Sequence, residues 1–86
     1  MSSSPAETPA VARSVEFTEH QLVVHLTDGR VLSAPLSRFP RLANATVQAR
    51  NQWRLVGDGL GIHWPEADED LSVEGLLAGI RGRGAA

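Results

Sequence analysis

Hydrophobic and polar residues alternate in two runs near the start of the chain. The first run spans residues 14–18 and the second spans residues 21–27, with a polar break at Glu19 and His20 between them. Alternation with a period of two over runs this short is typical of half-buried β-strands. The pattern therefore predicts two strands, with the ordered part of the chain beginning at about Arg13.

The sequence Asp28-Gly29 predicts a hairpin after the second run. A two-residue Asp-Gly loop suits a turn with positive φ, whose twist matches that of the flanking strands. In that register Leu26 faces Val31 on one side of the sheet, and His25 faces Leu32 on the other. Both faces are then partly apolar. We expect such a sheet to curl around its core, to be covered by helices, or to offer one face to a partner.

A second Asp-Gly pair, Asp58-Gly59, predicts a second hairpin within the sequence WRLVGDGLGIHW. The two-residue register sets Leu55 opposite Ile62 and Trp53 opposite Trp64, which places both tryptophans on one face. Proline follows directly and ends the strand, because it cannot donate a ladder hydrogen bond. The next residues, 65–70, are expected to form an acidic loop.

Short helical segments are predicted between the two hairpins. Pro35 and Pro40 end the strand pairing, and residues 37–45 are expected to form a short turn of helix. Residues 47–52 form a second short helix, for which Thr46 can serve as the N-cap.

A C-terminal helix is predicted to begin at Ser72, an N-cap residue, with Glu74 in the positive first turn. Its apolar residues recur at helical spacing: Val73, Leu76, Leu77 and Ile80. Three glycines are expected to end it quickly: Gly79, Gly82 and Gly84.

These elements predict an α+β fold. It has a small antiparallel sheet of about five strands, two Asp-Gly hairpins, two short central helical segments and a C-terminal helix. Residues 1–12, rich in Ser, Pro, Ala and Glu, are expected to form a flexible leader, residues 13–80 a single α+β domain, and residues 81–86 a disordered tail. A chain of 86 residues can bury only one core.

Composition narrows the class of protein. Hydrophobic residues make up 42% of the chain and charged residues 21%, as in globular proteins. Cysteine is absent, so packing or oligomerisation must supply the stability of a small core, and a reducing compartment is expected. The sequence contains neither an apolar run of the roughly 20 residues that span a bilayer nor the apolar centre of a secretory signal. We therefore expect a cytoplasmic protein without a membrane partner.

Charge argues against autonomous binding to nucleic acid. The net charge is −2, whereas nucleic-acid binders carry a basic field because phosphate neutralisation supplies most of their affinity. All eight basic residues are arginine. Either a GC-rich genome or a functional requirement would explain the use of arginine in place of lysine.

The chain resembles the bacterial family catalogued as domain of unknown function 2442 in two segments. These are residues 39–46, FPRLANAT, and residues 53–79, WRLVGDGLGIHWPEADEDLSVEGLLAG. The resemblance covers about residues 15–79 and is most specific over residues 57–77. The chain departs from the family pattern at Arg38, where relatives often carry Trp, and at Val47-Gln48, where Pro-Glu is common. The first departure weakens any binding role that needs an aromatic residue there.

The resemblance implies a small α+β domain with an antiparallel sheet. In some relatives this domain is fused to a helix-turn-helix DNA-binding module, which the present sequence lacks. The resemblance also implies a gene neighbourhood beside a second small uncharacterised protein, an arrangement similar to a toxin and antitoxin pair. No activity is implied.

His63 and the nearby acids are the main candidates for chemistry. His63 beside Asp68 and Asp70 could transfer protons or bind a metal ion, although a histidine at a strand end more often makes one orienting hydrogen bond. Alternation along the strand also directs His63 away from Trp64 and toward Arg54. Three adjacent acids do not match the spaced ligands of a calcium loop. We expect residues 68–70 to cap the helix that begins after them, with an Arg-rich partner as the alternative.

The three histidines His20, His25 and His63 are enough in number for zinc, but their spacing does not predict a shared site, and no metal or cofactor is expected. The glycines at residues 57–61 form a hairpin turn rather than a phosphate-binding loop. The central arginines could contact phosphate or an acidic partner, although solvated surface is the commoner role of such residues.

The sequence therefore predicts a non-enzymatic protein-binding module, antitoxin-like or accessory, that acts with a neighbouring small protein or as a homo-oligomer. No small-molecule ligand is evident. The alternatives are a DNA-binding regulatory accessory that uses the arginines, and a small metal-dependent enzyme that uses His63 and carboxylates. The predicted partner-binding residues are Arg38, Arg41, Arg50, Arg54, His63, Trp64, Asp68, Glu69 and Asp70.

Overall fold

The computed structural model describes residues 10–85, and for residues 80–85 it describes the backbone alone. The first of two three-stranded antiparallel sheets consists of β1 (Ala12–Phe17), β2 (Gln21–Leu26) and β3 (Val31–Pro35). The second consists of β4 (Arg54–Val56), β5 (Gly61–Trp64) and β6 (Glu69–Ser72). Strands follow one another in chain order within each sheet.

Short helical segments connect the two sheets. They are a 3₁₀ turn at Leu36–Arg38, α1 (Pro40–Ala43) and α2 (Val47–Arg50), and the long helix α3 (Val73–Ala85) follows β6. The α+β class and the order of elements are confirmed. The single five-stranded sheet is wrong, because the helical segments after Pro35 separate two sheets and because a sixth strand, β6, begins within the expected acidic loop.

The strand β6 replaces the second half of the predicted acidic loop. Residues 65–68 alone form the turn after β5, and Glu69 already faces Trp64 across the ladder. Acidic residues have low intrinsic preference for strands, so β6 depends on its pairing with β5 rather than on local sequence. The pairing also places Leu71 opposite the buried Ile62.

The first hairpin has a three-residue loop, so its predicted register is wrong by one residue. Gly29 adopts φ +94°, and its N–H donates to the Leu26 carbonyl at 3.2 Å, which forms a turn followed by one left-handed residue. As a result Val24 faces Leu32, and His25 faces Val31. The shift gathers the buried residues onto one face, so that the apolar character expected on both faces is largely confined to the core side.

Asp28 stabilises this loop through its carboxylate. It accepts hydrogen bonds from the Arg30 backbone N–H at 3.0 Å and from Arg30 Nε at 2.8 Å. The backbone hydrogen bond is the main reason that the pKa of Asp28 is lowered from its usual value. The stabilisation is therefore present above the ordinary pKa of aspartate and is lost as the pH falls through the lowered value.

The second hairpin follows its predicted register. Asp58 and Gly59 both adopt positive φ, of 57° and 96°, and Leu55 faces Ile62. Trp53 precedes β4 instead of pairing with Trp64, although it packs partly buried against the same core. The Asp-Gly signal therefore identified this turn correctly.

Trp64 lies at the centre of a core to which both sheets contribute. Its side chain is fully buried, and its Nε1–H donates to the Arg50 carbonyl at 3.0 Å. Its ring meets Phe17 edge-on, with centroids 6.2 Å apart and planes inclined at 70°. The other residues of the buried cluster are Ala12, Val15, Leu22, Val24, Leu26, Leu36, Leu42, Ile62, Val73 and Leu76.

Two predicted helix caps are confirmed. Thr46 Oγ1 accepts from the Ala49 N–H at 3.0 Å, and Ser72 Oγ accepts from the Gly75 N–H at 2.9 Å. Helix α3 continues to Ala85, past the glycines that were expected to end it and through residues 81–85 of the predicted disordered tail. Within residues 10–85, none of the helices combines the length and the hydrophobicity that a transmembrane helix needs.

The predicted N-terminal leader falls mostly outside the described residues, which exclude residues 1–9. Its last residue, Ala12, is 3% exposed and begins β1. The backbone of Ala12 lies against the second hairpin: a Cβ built on Gly59 would be 2.7 Å from the Ala12 carbonyl oxygen.

This close approach predicts a large effect of Gly59→Ala compared with Gly29→Ala. Both glycines have nearly the same positive φ, so each substitution costs about 1–2 kcal/mol in backbone strain. A Cβ on Gly29 meets nothing within 4 Å, whereas one on Gly59 meets backbone. Urea denaturation should therefore show that Gly59→Ala lowers the free energy of unfolding by at least about 1 kcal/mol more than Gly29→Ala does. Equal losses would contradict the packing of β1 on this turn.

Candidate functional site

Three of the predicted partner-binding residues form a line across the second sheet on the side away from the core. Arg54 faces His63 between β4 and β5, and His63 faces Asp70 between β5 and β6. Because Ile62 and Trp64 on either side of His63 are buried, alternation directs His63 outward. We call Arg54, His63 and Asp70 the outer row.

His63 and Asp70 are joined by a hydrogen bond of 2.6 Å between Nδ1 and Oδ1. The two side chains are 34% and 73% exposed. With its proton on Nδ1, the imidazole donates to the carboxylate, and this contact fixes the ring plane and leaves Nε2 as an acceptor. The pair can therefore orient a hydrogen-bonding group toward a bound molecule, or accept a proton at Nε2.

Arg54 forms the positive end of the outer row. Its side chain is exposed, and no ion pair involves it among the residues whose side chains are described. Val56 follows two residues later on the same face and is 43% exposed. The outer row therefore presents opposite charges at its two ends, with an exposed apolar side chain beside the positive one.

Arg50, another predicted partner-binding residue, is occupied by contacts within the fold. Its Nε donates to the Leu42 carbonyl and its Nη2 to the Ala43 carbonyl, each at 2.9 Å. Its guanidinium carbon lies 5.7 Å from the centre of the Phe17 ring, within the range of a cation–π contact. These contacts satisfy carbonyls at the end of α1, so Arg50 has a structural role.

Arg41 and Asp68 meet away from the outer row, at the turn between β5 and β6. Arg41 Nη1 donates to the Asp68 carbonyl at 2.5 Å and lies 3.6 Å from its carboxylate. Asp68 adopts φ +55°, a left-handed conformation that aspartate tolerates better than most residues. The two residues hold the turn against α1.

Trp64 was predicted to contact a partner, and this prediction is wrong because its side chain is fully buried in the core. Glu69 lies opposite it, and its Oε1 accepts from the Asp70 N–H at 3.0 Å. Arg38 is exposed and lies beside α3. Its Nη2 is 2.8 Å from the position that a Cβ atom would occupy if Gly79 carried a side chain. Neither residue belongs to the outer row.

The acids at residues 68–70 do not cap α3, which corrects the prediction made for them. Ser72 supplies the capping oxygen, and Glu74 lies in the first turn. Asp70 lies in β6 on the outer face of the sheet, where it is hydrogen-bonded to His63. Asp68 instead forms an ion pair with Arg41. The formation of β6 therefore places these acids away from the N-terminus of α3.

The three histidines lie apart. His20 is 85% exposed in the turn after β1, His25 contacts Glu16 on the first sheet, and His63 lies on the second sheet. Among the described residues no group of three His, Cys, Asp or Glu side chains could hold a metal ion.

Sequence reasoning missed the exposed apolar residues around β4. Leu55 is 37% exposed, Val56 43% and Leu60 48%. A signal was present: Leu55 and Val56 are adjacent in a strand, so only one of them can face the core. The sequence did not indicate that β4 lies at the edge of its sheet, where both remain accessible.

The sequence model of a protein family described as "Protein of unknown function (DUF2442)" matches residues 12–82 of the chain. A protein of unknown function from Rhodospirillum rubrum, solved by crystallography, has 27% sequence identity and a TM-score of 0.72, with 84% of this chain and 89% of that one covered. An uncharacterised protein from Chromobacterium violaceum, solved by NMR, has 27% identity and a TM-score of 0.69, with 80% of this chain and 65% of that one covered. No curated protein matches the chain significantly.

The different environments of two arginines give a stability prediction. Arg50→Lys removes the planar fork that reaches two carbonyls and lies over Phe17, so we expect a loss of about 1–3 kcal/mol in the free energy of unfolding. Arg54→Lys on the exposed face should change it by less than about 0.5 kcal/mol. Urea denaturation followed by tryptophan fluorescence measures both. A neutral Arg50→Lys would show that Arg50 is not a structural residue.

Proposed function

This chain belongs to the DUF2442 family of proteins of unknown function, and we propose that it is a non-enzymatic protein-binding module. Its partner is a neighbouring small protein, toward which it acts as an antitoxin-like or accessory component. The observation that supports this proposal most is the outer row, because the fold leaves it accessible on the outer face of the second sheet beside Val56.

The chemistry of the outer row suits recognition of a protein surface. Arg54 and Asp70 carry opposite charges at its two ends, which favours one orientation of a partner whose charges are complementary. Val56 adds an apolar contact, and arginine is among the residues enriched at protein interfaces. The hydrogen bond between His63 and Asp70 orients these two side chains before binding, which lowers the entropy lost when a complex forms.

The hydrogen bond between His63 and Asp70 is also the observation that favours an enzymatic alternative, in which His63 transfers protons. Catalysis by such a pair gains most where water is excluded and charges are stabilised by fixed dipoles. Asp70 is 73% exposed, so water screens the pair strongly. Binding therefore accounts for this surface better than catalysis does.

The DNA-binding alternative depended on four central arginines. Arg50 and Arg41 make contacts within the fold, so only Arg38 and Arg54 of that group remain for phosphate. A net charge of −2 opposes binding to a polyanion. These facts favour a protein partner over nucleic acid.

The proposal predicts that the outer row contributes to complex formation. Co-expression with the product of the adjacent gene, followed by size-exclusion chromatography, should give one complex. His63→Ala and Asp70→Arg should each weaken it at least about tenfold, equivalent to about 1.4 kcal/mol, when affinity is measured by calorimetry.

His25→Ala is the matched control, because His25 also contacts a carboxylate, Glu16, on an exposed sheet face but lies in the first sheet. It should leave the affinity unchanged. Elution of two separate proteins at micromolar concentration would contradict the proposed function. Equal effects of His63→Ala and His25→Ala would contradict the assignment of the contact to the outer row.

A further inference from the structure

A cavity of about 250 Å³ lies against the free edge of β6, the last strand of the second sheet. Arg38 at the end of the 3₁₀ turn and Phe39 after it line this cavity together with residues of β6 and of the first turn of α3. Pockets for drug-sized ligands measure about 300–1,000 Å³, so this cavity suits a smaller group, about the size of one residue.

The backbone of β6 directs two residues toward the cavity. The Val73 N–H donates to the Leu60 carbonyl at 2.9 Å, which continues the ladder between β5 and β6. In an antiparallel pair every second residue points its backbone groups to the neighbouring strand. Counted back from Val73, Asp70 and Ser72 are the residues that point theirs away from β5, and both line the cavity.

One acceptor and one donor of these two residues are without a partner among the described residues. The Asp70 N–H donates to Glu69 Oε1 at 3.0 Å, and the carbonyl of an N-cap residue such as Ser72 accepts the first hydrogen bond of its helix. The Asp70 carbonyl and the Ser72 N–H remain. The cavity therefore offers one backbone acceptor and one backbone donor.

This acceptor and donor fit a single residue of a chain that runs parallel to β6. In a parallel pair one residue donates its N–H to a carbonyl and accepts, at its own C=O, from the N–H two residues further on. Asp70 and Ser72 have that spacing. An antiparallel chain would need both backbone groups of one residue, and neither Asp70 nor Ser72 offers both.

The side chain of the bound residue would lie against apolar groups. Its position in the parallel register is beside Leu71, so its side chain points to the same face of the sheet as Leu71 does. That is the core side, because Leu71 faces the buried Ile62. Leu76, which is buried, and Phe39, which packs against the core, line the cavity there. An apolar side chain is therefore favoured.

Arg38 gives the cavity a positive charge on the side of α3. It is exposed and makes no ion pair among the residues whose side chains are described, and its guanidinium lies beside Gly79. A chain parallel to β6 runs toward α3, and pairing must end there because β6 turns into the helix after Ser72. The Asp70 carboxylate lies two residues earlier, on the outer face with His63.

We propose that this cavity binds the C-terminal residue of the partner protein, and that this residue is apolar. Its N–H donates to the Asp70 carbonyl, and its carboxylate accepts from the Ser72 N–H and pairs with Arg38. Strand addition and capture of a terminal carboxylate by backbone N–H groups are both recurring modes of peptide recognition. The inference rests on the proposed function, because its ligand is the end of a protein chain.

Peptide binding tests the role of the carboxylate. The probes are N-acetyl-Ala-Ala-Ala-Leu with a free carboxylate and the same peptide with a C-terminal amide. NMR titration of the ¹⁵N-labelled chain should show that the acid binds roughly tenfold more tightly, because its hydrogen bonds are charge-assisted, and that it shifts the Ser72 amide resonance. Equal affinities, or no binding of either peptide at millimolar concentration, would overturn the inference.

Two arginine variants test the role of Arg38. Arg38→Gln should reduce the preference for the acid over the amide to less than about threefold, because the charge that pairs with the carboxylate is lost. Arg13→Gln is the matched control: Arg13 is also exposed and without an ion pair among the described side chains, but it lies in β1. It should keep the tenfold preference. The same preference in both variants would contradict the pairing of Arg38 with the carboxylate.

Further outcomes separate this inference from its alternatives. Free leucine binding as tightly as the peptide would assign the cavity to an amino acid and overturn the assignment to a partner's terminus. A complex with the adjacent gene product, found together with no peptide binding, would refute this inference alone. Peptide binding without that complex would refute the function proposed for the outer row.

Discussion

Burial of the Trp64 side chain is the interaction on which the rest of the structure depends. A tryptophan side chain removes about 150–250 Å² from water, which stabilises the fold by about 4–6 kcal/mol. Its ring touches Phe17 of the first sheet, and its N–H donates to the Arg50 carbonyl in the helical segment. One side chain therefore joins the second sheet to the first sheet and to the segment between them, in a chain too small to contain a second core.

The burial of Trp64 also determines how the central arginines are used. A buried indole N–H needs an acceptor, and the Arg50 carbonyl supplies it. The Arg50 side chain holds that region by donating to the last carbonyls of α1, while Arg41 holds the turn after β5. These two arginines serve the fold, and Arg54 remains on the surface because it belongs to the edge strand.

Local sequence predicted the features that depend on neighbouring residues. The turn at Asp58-Gly59 and the caps at Thr46 and Ser72 form from a few adjacent residues, so they could be recognised without the fold. The strand β6 could not, because its acidic residues become extended only when β5 lies beside them. The first hairpin differs from its prediction by one loop residue, since Asp-Gly fits both a two-residue loop and the longer one observed.

The position of the outer row is a consequence of the core. Alternation along β5 predicted that His63 points away from Trp64 and toward Arg54, and the register confirms it. Which of the two faces is buried cannot be read from alternation alone, so the sequence does not distinguish the buried Trp64 from the exposed residues of the outer row. Once Trp64 is fixed inside, His63 must face outward, and a slip of one residue would exchange them. The core therefore places His63 between Arg54 and Asp70.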